Sequence, residues 1–402
     1  MHARFHVVIV RHPDGERLPI LLDASRQPIG WINAYAIQRL RPRLAANSLA
    51  KSLHILGFLW SWAAKQPFSL QERLNTGEGL SPDEIVSQLY PWLRRSFQGH
   101  PKVHKLVVSP STVAQRLQVV ARFISWHLEC AMARWSPGSA ELRDIRDRLK
   151  IIERAFAHAG RARVASPQHA RPLSEEEVTR LLMVCRPGSD KNPWKRPYQE
   201  RNYLIVLMLL LLGLRRGELL KLRVGDCLLS RRIPEVRIER SPDDARDPRR
   251  SEPQVKTDSR QLPCDASLAR LLNAYICQTR REIAGADKTP FLFLSRDGKP
   301  MSLARVNGVL GQVGAMDPEF RDLHPHSLRS TCATSFRAQG LRNGLDEDRI
   351  EKHMMYFFGW RSSDSLRPYV AEAIRRESCE LSLGYQSLLF ACQTAETGND
   401  QW

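Results

Sequence analysis

The sequence lacks any Cys-x-x-Cys pair. Its eight cysteines stand singly at Cys130, Cys185, Cys227, Cys264, Cys277, Cys332, Cys379 and Cys392, which leaves no zinc ribbon and no dithiol redox motif. Scattered cysteines in a chain of 402 residues fit a reducing compartment. Long hydrophobic runs are absent too. The most apolar stretch, residues 203–214 (YLIVLMLLLLGL), has 12 residues, against about 20 for a helix through a bilayer core. It reads as a buried helix. The opening residues, MHARFHVVIVRHPDGERLP, lack the basic start and apolar stretch of a signal peptide. The expectation is a soluble, cytoplasmic protein with no membrane partner. No acidic cluster suited to two catalytic metals stands out, so no metal and no cofactor is expected. Internal repeats and low-complexity tracts are missing as well.

What the sequence has in excess is positive charge. Lys and Arg number 61 against 43 Asp and Glu, a net charge of +18. Such a field attracts polyanions, nucleic acid first and a membrane surface second. The length suggests two or three domains.

Along the chain, residues 1–35 look β-rich: FHVVIV is a strand, HPDGE a turn and LPILLD a returning strand. Residues 36–160 read as helical. Residues 47–64 carry apolar positions at helical spacing behind a capping residue. Residues 109–128 place Val113, Leu117, Val120, Phe123 and Ile124 on one face, leaving Arg116 and Arg122 for the solvent face. That helix reads either as a basic surface for phosphates or as an ordinary amphipathic helix. A basic linker, residues 161–172, separates this part from residues 173–390. The second part opens with a helix capped by Ser174, with Glu175, Glu176 and Glu177 in its first turn. Its strands are expected at PEVRIER and around VKTDSRQLP, joined by the polar loop SPDDARDPRRSEP. Residues 391–402 form a tail.

Four segments of this second part carry chemistry: residues 213–226 (GLRRGELLKLRVGD), 254–263 (QVKTDSRQLP), 324–334 (HPHSLRSTCAT) and 357–370 (FFGWRSSDSLRPYV). Two arginines, a lysine and a histidine beside a tyrosine form a set that clamps and attacks a phosphodiester, because the arginine fork matches phosphate oxygens.

The segments resemble the motifs of the tyrosine recombinase (phage integrase) family. Arg215 stands in the place of the first arginine and Glu218 in the acidic place beside it. His326 and Arg329 match the His-x-x-Arg box. Trp360 stands where a histidine is usual, and Tyr369 follows it by nine residues. Lys256 resembles the β-hairpin lysine. Ser330 stands where a further histidine is common, and the segments before Lys256 and Gly359 look longer than usual. Tyr356 and Tyr385 are the competing tyrosines, Lys288 and Lys299 the competing lysines, and His324 reads as structural.

The resemblance implies a mainly α fold with a small β-sheet, made of a helical core-binding domain and a mixed α/β catalytic domain. It implies a site-specific DNA recombinase or integrase. Tyr369 attacks the phosphate, Arg215 and Arg329 stabilise its oxygens, and Lys256 protonates the leaving 5′-oxygen. His326 assists proton transfer and Trp360 donates its indole N–H. The implied partners are double-stranded DNA and further copies of the chain, a dimer on a site and a tetramer in the synapse, with accessory recombinases or DNA-bending proteins. The amphipathic residues 380–393 dock on a neighbouring protomer or on their own domain. The rival readings are a type IB topoisomerase-like enzyme and a DNA-binding accessory protein without catalysis.

Overall fold

The computed structural model describes residues 5–96, 107–160, 171–366, 382–384 and 386. Most of the linker, residue Tyr369 and the tail 391–402 lie outside the described residues. The described chain is mainly helical with two small antiparallel sheets, and it divides into two compact units.

The first unit is Met1–Gln168 together with Asp243–Glu252. It begins with a hairpin of β1 (His6–Arg11) and β2 (Arg17–Leu22), in which Val8 faces Ile20. Gly15 lies in the turn at φ +102°, and a Cβ there would stand 2.2 Å from the Asp243 carbonyl oxygen. Only glycine tolerates both constraints. Helices α1 (Gly30–Tyr35), α2 (Ala46–Ala63), α3 (Leu70–Thr76), α4 (Tyr90–Leu93), α5 (Pro110–Met132) and α6 (Ala140–Ala159) follow. Ser109 and Ser139 cap α5 and α6, each accepting a backbone N–H with its hydroxyl. The apolar stripe of α5 meets Leu21, Ile32, Leu53 and Ile145 in one core.

One expectation needs correcting here. Arg122 is exposed, but Arg116 is not a solvent-face residue. Its Nη1 donates to the carbonyls of Leu93 and Arg95 at 2.7 and 2.8 Å, and its guanidinium lies over Phe58. It ties α5 to the C-terminal end of α4 instead of offering charge to a polyanion. The polar stretch SPDDARDPRRSEP is a loop between strands, yet ten of its residues leave the second unit and belong to the first. Asp247 and Glu252 within it are 0% and 1% exposed. Composition marks such acids as solvated, and only the arginines folded onto them make burial tolerable.

The second unit is His169–Pro242 with Pro253–Trp402. Helix α7 (Glu175–Cys185) begins with a capping box, Ser174 and Glu177 each receiving the other's backbone N–H. Helix α8 (Gln199–Leu211) is the apolar run, buried from Leu204 to Leu210. The short α9 (Arg216–Lys221) follows. A three-stranded sheet of β3 (Cys227–Leu228), β4 (Glu235–Ile238) and β5 (Arg260–Pro263) pairs Val236 with Leu262. Helices α10 (Ala266–Cys277), α11 (Leu303–Met316), α12 (Pro325–Arg342) and α13 (Glu347–Phe358) complete the unit. One core joins α8 to the sheet, α10 and α11, while Cys332, Ile350, Met354, Phe358 and Trp360 form a second.

Among the described residues, no helix is long and apolar enough to cross a membrane.

Candidate active site

Helix α8 ends at Leu211, and Gly213, with a φ of +56°, turns the chain before α9. A Cβ at this position would lie 2.4 Å from the Phe358 ring. The turn puts Arg215 at the N-cap of α9. Its backbone N–H donates to Glu218 Oε2 at 2.9 Å, and its Nη1 lies 3.5 Å from Glu218 Oε1. Nη1 is buried and has no hydrogen-bond acceptor among the described residues, although the side chain as a whole is 33% exposed. A buried donor without an acceptor is costly, and an incoming phosphate oxygen would remove that cost.

Arg329 sits on α12, one turn beyond His326, so the two share a helix face. Its side chain is 1% exposed. Nη2 donates to the Phe358 carbonyl at 2.9 Å, Nη1 donates to the Gly213 carbonyl, and Nη1 lies 3.8 Å from Glu218 Oε2. The guanidinium also stands over the rings of Phe358 and Trp360, at 4.9 and 5.7 Å.

Glu218 is the hub. Besides the two arginines, it accepts from Thr257 Oγ1 at 2.6 Å and from Arg260 Nη2 at 3.0 Å. Burial pushes its carboxyl up, but the charges of Arg260 and Arg329 and the bonds from Arg260 and Thr257 outweigh burial and hold it below its ordinary value. The site therefore carries a fixed anion that spaces its cations apart.

Lys256 is exposed, between buried Val255 and Thr257. Thr257 binds Glu218, and the Gln254 carbonyl packs so closely on Gly217 that a Cβ there would lie 2.2 Å away. Lys256 thus stands on a segment pinned beside Arg215. His326 is exposed in the first turn of α12. His324, at the N-cap, accepts the Ser327 N–H with Nδ1 at 3.3 Å. Trp360 is 5% exposed and stacks on Phe358 at 4.8 Å and 20°. Its predicted place in the site coincides with a packing role.

Of the sequence-predicted residues, then, Arg215, Arg329 and the segment of Lys256 meet at Glu218, Trp360 joins through Arg329, and His326 through α12. Tyr369 falls outside the described residues. The sequence reading singles out neither Thr257 nor Arg260. A signal for Arg260 exists: it is in phase with buried Leu262 on β5, and a strand alternates faces. An arginine on the inner face requires an acidic partner. Among the described residues, no group of three His, Cys, Asp or Glu side chains forms a metal site.

The family model described as "Phage integrase family" matches residues 171–376, more than half of the chain. The chain belongs to the phage integrase family. As an integrase-family protein it is a tyrosine-type, site-specific DNA recombinase. It is 24% identical over 179 residues to the type 1 fimbriae regulatory protein FimB of Escherichia coli K12, covering 44% of this chain and 76% of that one. The fold resembles that of the Tn1549 transposon integrase, solved with transposon right end DNA. That match has 17% identity and a TM-score of 0.50, over 88% of this chain and 99% of that one. The XerA recombinase is a further structural match, with 18% identity and a TM-score of 0.39, over 87% of this chain and 97% of that one.

Proposed function

We propose that this recombinase cuts and rejoins double-stranded DNA at Tyr369, with Arg215, Lys256, His326, Arg329 and Trp360 as its other site residues. The tyrosine oxygen bonds to the scissile phosphorus as the P–O5′ bond breaks, leaving a 3′-phosphotyrosyl link. The link retains the phosphodiester energy for religation. Arg215 and Arg329 stabilise the non-bridging oxygens, and Lys256 gives its proton to the departing 5′-oxygen. His326 assists proton transfer at the tyrosine, and the Trp360 indole N–H donates to the phosphate. A free tyrosine has a pKa of about 10, and the cationic cluster eases loss of its proton.

The observation that carries this reading is the buried Glu218 carboxylate, which aligns Arg215 and Arg329 and, through Thr257, the segment of Lys256. The net charge of +18 supplies the long-range attraction for DNA. The helical first unit grips the duplex, two copies occupy inverted half-sites and four form the synapse. The place of action is the cytoplasm, where the cell's DNA is within reach of the enzyme.

Covalent trapping tests the proposal. Wild type and Tyr369→Phe are incubated with nicked duplexes carrying the DNA that flanks the gene and run on denaturing gels. The expected result is a protein–DNA adduct with the wild type and none with the variant. An adduct that persists in Tyr369→Phe makes another tyrosine the nucleophile, Tyr356 being 68% exposed. No adduct on DNA that both proteins bind would favour an accessory protein.

A further inference from the structure

Arg260 opens β5, and the proposed chemistry gives it no part. Its side chain is 2% exposed, and each of its three nitrogens donates to a group of the second unit. Nε donates to the Phe357 carbonyl at 2.7 Å, Nη1 to Thr257 Oγ1 at 3.0 Å and Nη2 to Glu218 Oε2 at 3.0 Å. A guanidinium so enclosed does not bind a phosphate. Two of its bonds close a ring instead. Thr257 Oγ1 accepts from Arg260 and donates to Glu218 Oε1 at 2.6 Å, while Glu218 holds Arg260 through its other oxygen. A hydroxyl engaged as donor and acceptor at once no longer rotates. The Thr257 side chain is thereby fixed, and with it the backbone one residue after Lys256.

The third bond relates this ring to the phosphate clamp. Arg260 takes the Phe357 carbonyl, and Arg329 takes the next one, that of Phe358, at 2.9 Å. Both guanidiniums also face Glu218 Oε2, at 3.0 and 3.8 Å. The two arginines therefore stand on the same two anchors, a buried carboxylate and the last carbonyls of α13, where a helix favours cations. The seam between them is tight. Gly359 has a φ of +60°, and a Cβ on it would lie 2.8 Å from Thr257 Cβ and 2.9 Å from Arg260 Nη1.

We propose that Arg260 is a positioning residue for strand cleavage: through Thr257 it holds Lys256 in register with Arg329, so that the lysine meets the departing 5′-oxygen. The inference rests on Lys256 being the general acid. In that step the ammonium proton moves to the 5′-oxygen as the P–O5′ bond breaks and the tyrosyl O–P bond forms. If sulfur replaces the bridging 5′-oxygen, the leaving thiolate needs no proton, and a misplaced or missing lysine ceases to matter.

The experiment compares wild type, Lys256→Ala, Arg260→Lys and Thr257→Val. Arg260→Lys keeps the charge that Glu218 needs but replaces the fork with a single ammonium. Thr257→Val keeps the branched shape and removes the hydroxyl through which Arg260 acts. Each protein, at concentrations that saturate binding, cleaves nicked duplexes of the gene's flanking DNA with an ordinary or a sulfur 5′-bridge. Lys256→Ala is expected to lose about a hundredfold or more on ordinary DNA and to recover on the sulfur substrate. Arg260→Lys and Thr257→Val are expected to lose about tenfold to a hundredfold on ordinary DNA, the effect of misplacing a reacting group by about an ångström, and to recover on sulfur likewise. An arginine that only stabilised the fold would lose rate on both substrates alike. Failure of Lys256→Ala to recover overturns the general-acid reading and the inference with it. Recovery of Lys256→Ala beside Arg260 and Thr257 variants that cleave ordinary DNA normally, or lose equally on both substrates, overturns the positioning role alone. If Arg260→Lys fails to fold, Thr257→Val decides on the same criteria.

Discussion

Glu218 and Arg260 form an ion pair 3.0 Å long in which the side chains are 0% and 2% exposed. Removing one partner strands the other charge out of water. Glu218→Ala should cost about 3–5 kcal/mol in denaturant unfolding, with Glu218→Gln costing less. The pH sign follows from the lowered carboxyl. The unfolded chain takes up a proton at an ordinary Glu pKa of about 4.3, the folded chain only lower. The pair's stability is therefore complete above that value and is lost as pH falls through the folded one. A melt that Glu218→Ala leaves unchanged would contradict this account.

The two arginines should separate when activity and stability are measured together. Both are proposed donors to the phosphate, so Arg215→Ala and Arg329→Ala should each slow adduct formation by about 10²–10³. Arg329 is 1% exposed and donates to two carbonyls, whereas Arg215 is 33% exposed. Only Arg329→Ala should also lower the melting temperature markedly. Equal melts for the two variants would be the wrong outcome.

Trp360 has two roles to distinguish, since it stacks on Phe358 and is proposed to donate its N–H. Trp360→Ala should lose about 3–5 kcal/mol of stability with activity. Trp360→Phe retains most of the packing and removes the donor. It should keep the wild-type melt and cleave more slowly, while Trp360→His restores a donor. A Trp360→Phe variant with full activity would reduce the residue to packing.

His127 predicts an acid sensitivity in the first unit. Burial among Trp31, Phe123 and Trp126 pushes its imidazole down to about 4 from an ordinary 6.5. The folded state thus binds fewer protons than the unfolded chain between those values. Stability should fall as pH drops from 6.5 towards 4. The ring is only partly sequestered, so the loss is below the about 3 kcal/mol of a fully buried shift. His127→Phe should flatten this limb in part, because burial lowers His54 as well. Identical pH profiles for variant and wild type would refute the assignment.

Much of the architecture is legible from local patterns. The Ser174 capping box, the α5 stripe from Val113 to Ile124 and the apolar run of α8 each announce themselves within about 20 residues, because caps and periodicity act at short range. The hairpin of β1 and β2 is equally readable from its turn. Arg116 misleads because helical phase places it at an edge, and the carbonyls of Leu93 and Arg95 that draw it inward are distant in sequence.

The order of the boxes, from Arg215 through Lys256, His326 and Arg329 to Trp360 and Tyr369, was legible in the sequence alone through its resemblance to the phage integrase motifs. What links them was not. Glu218 meets Thr257, Arg260 and Arg329 across 39, 42 and 111 residues. A buried charge is tolerable only beside its partner. Pairing over such separations leaves no local periodicity, so it is decided only when the strands and helices have packed.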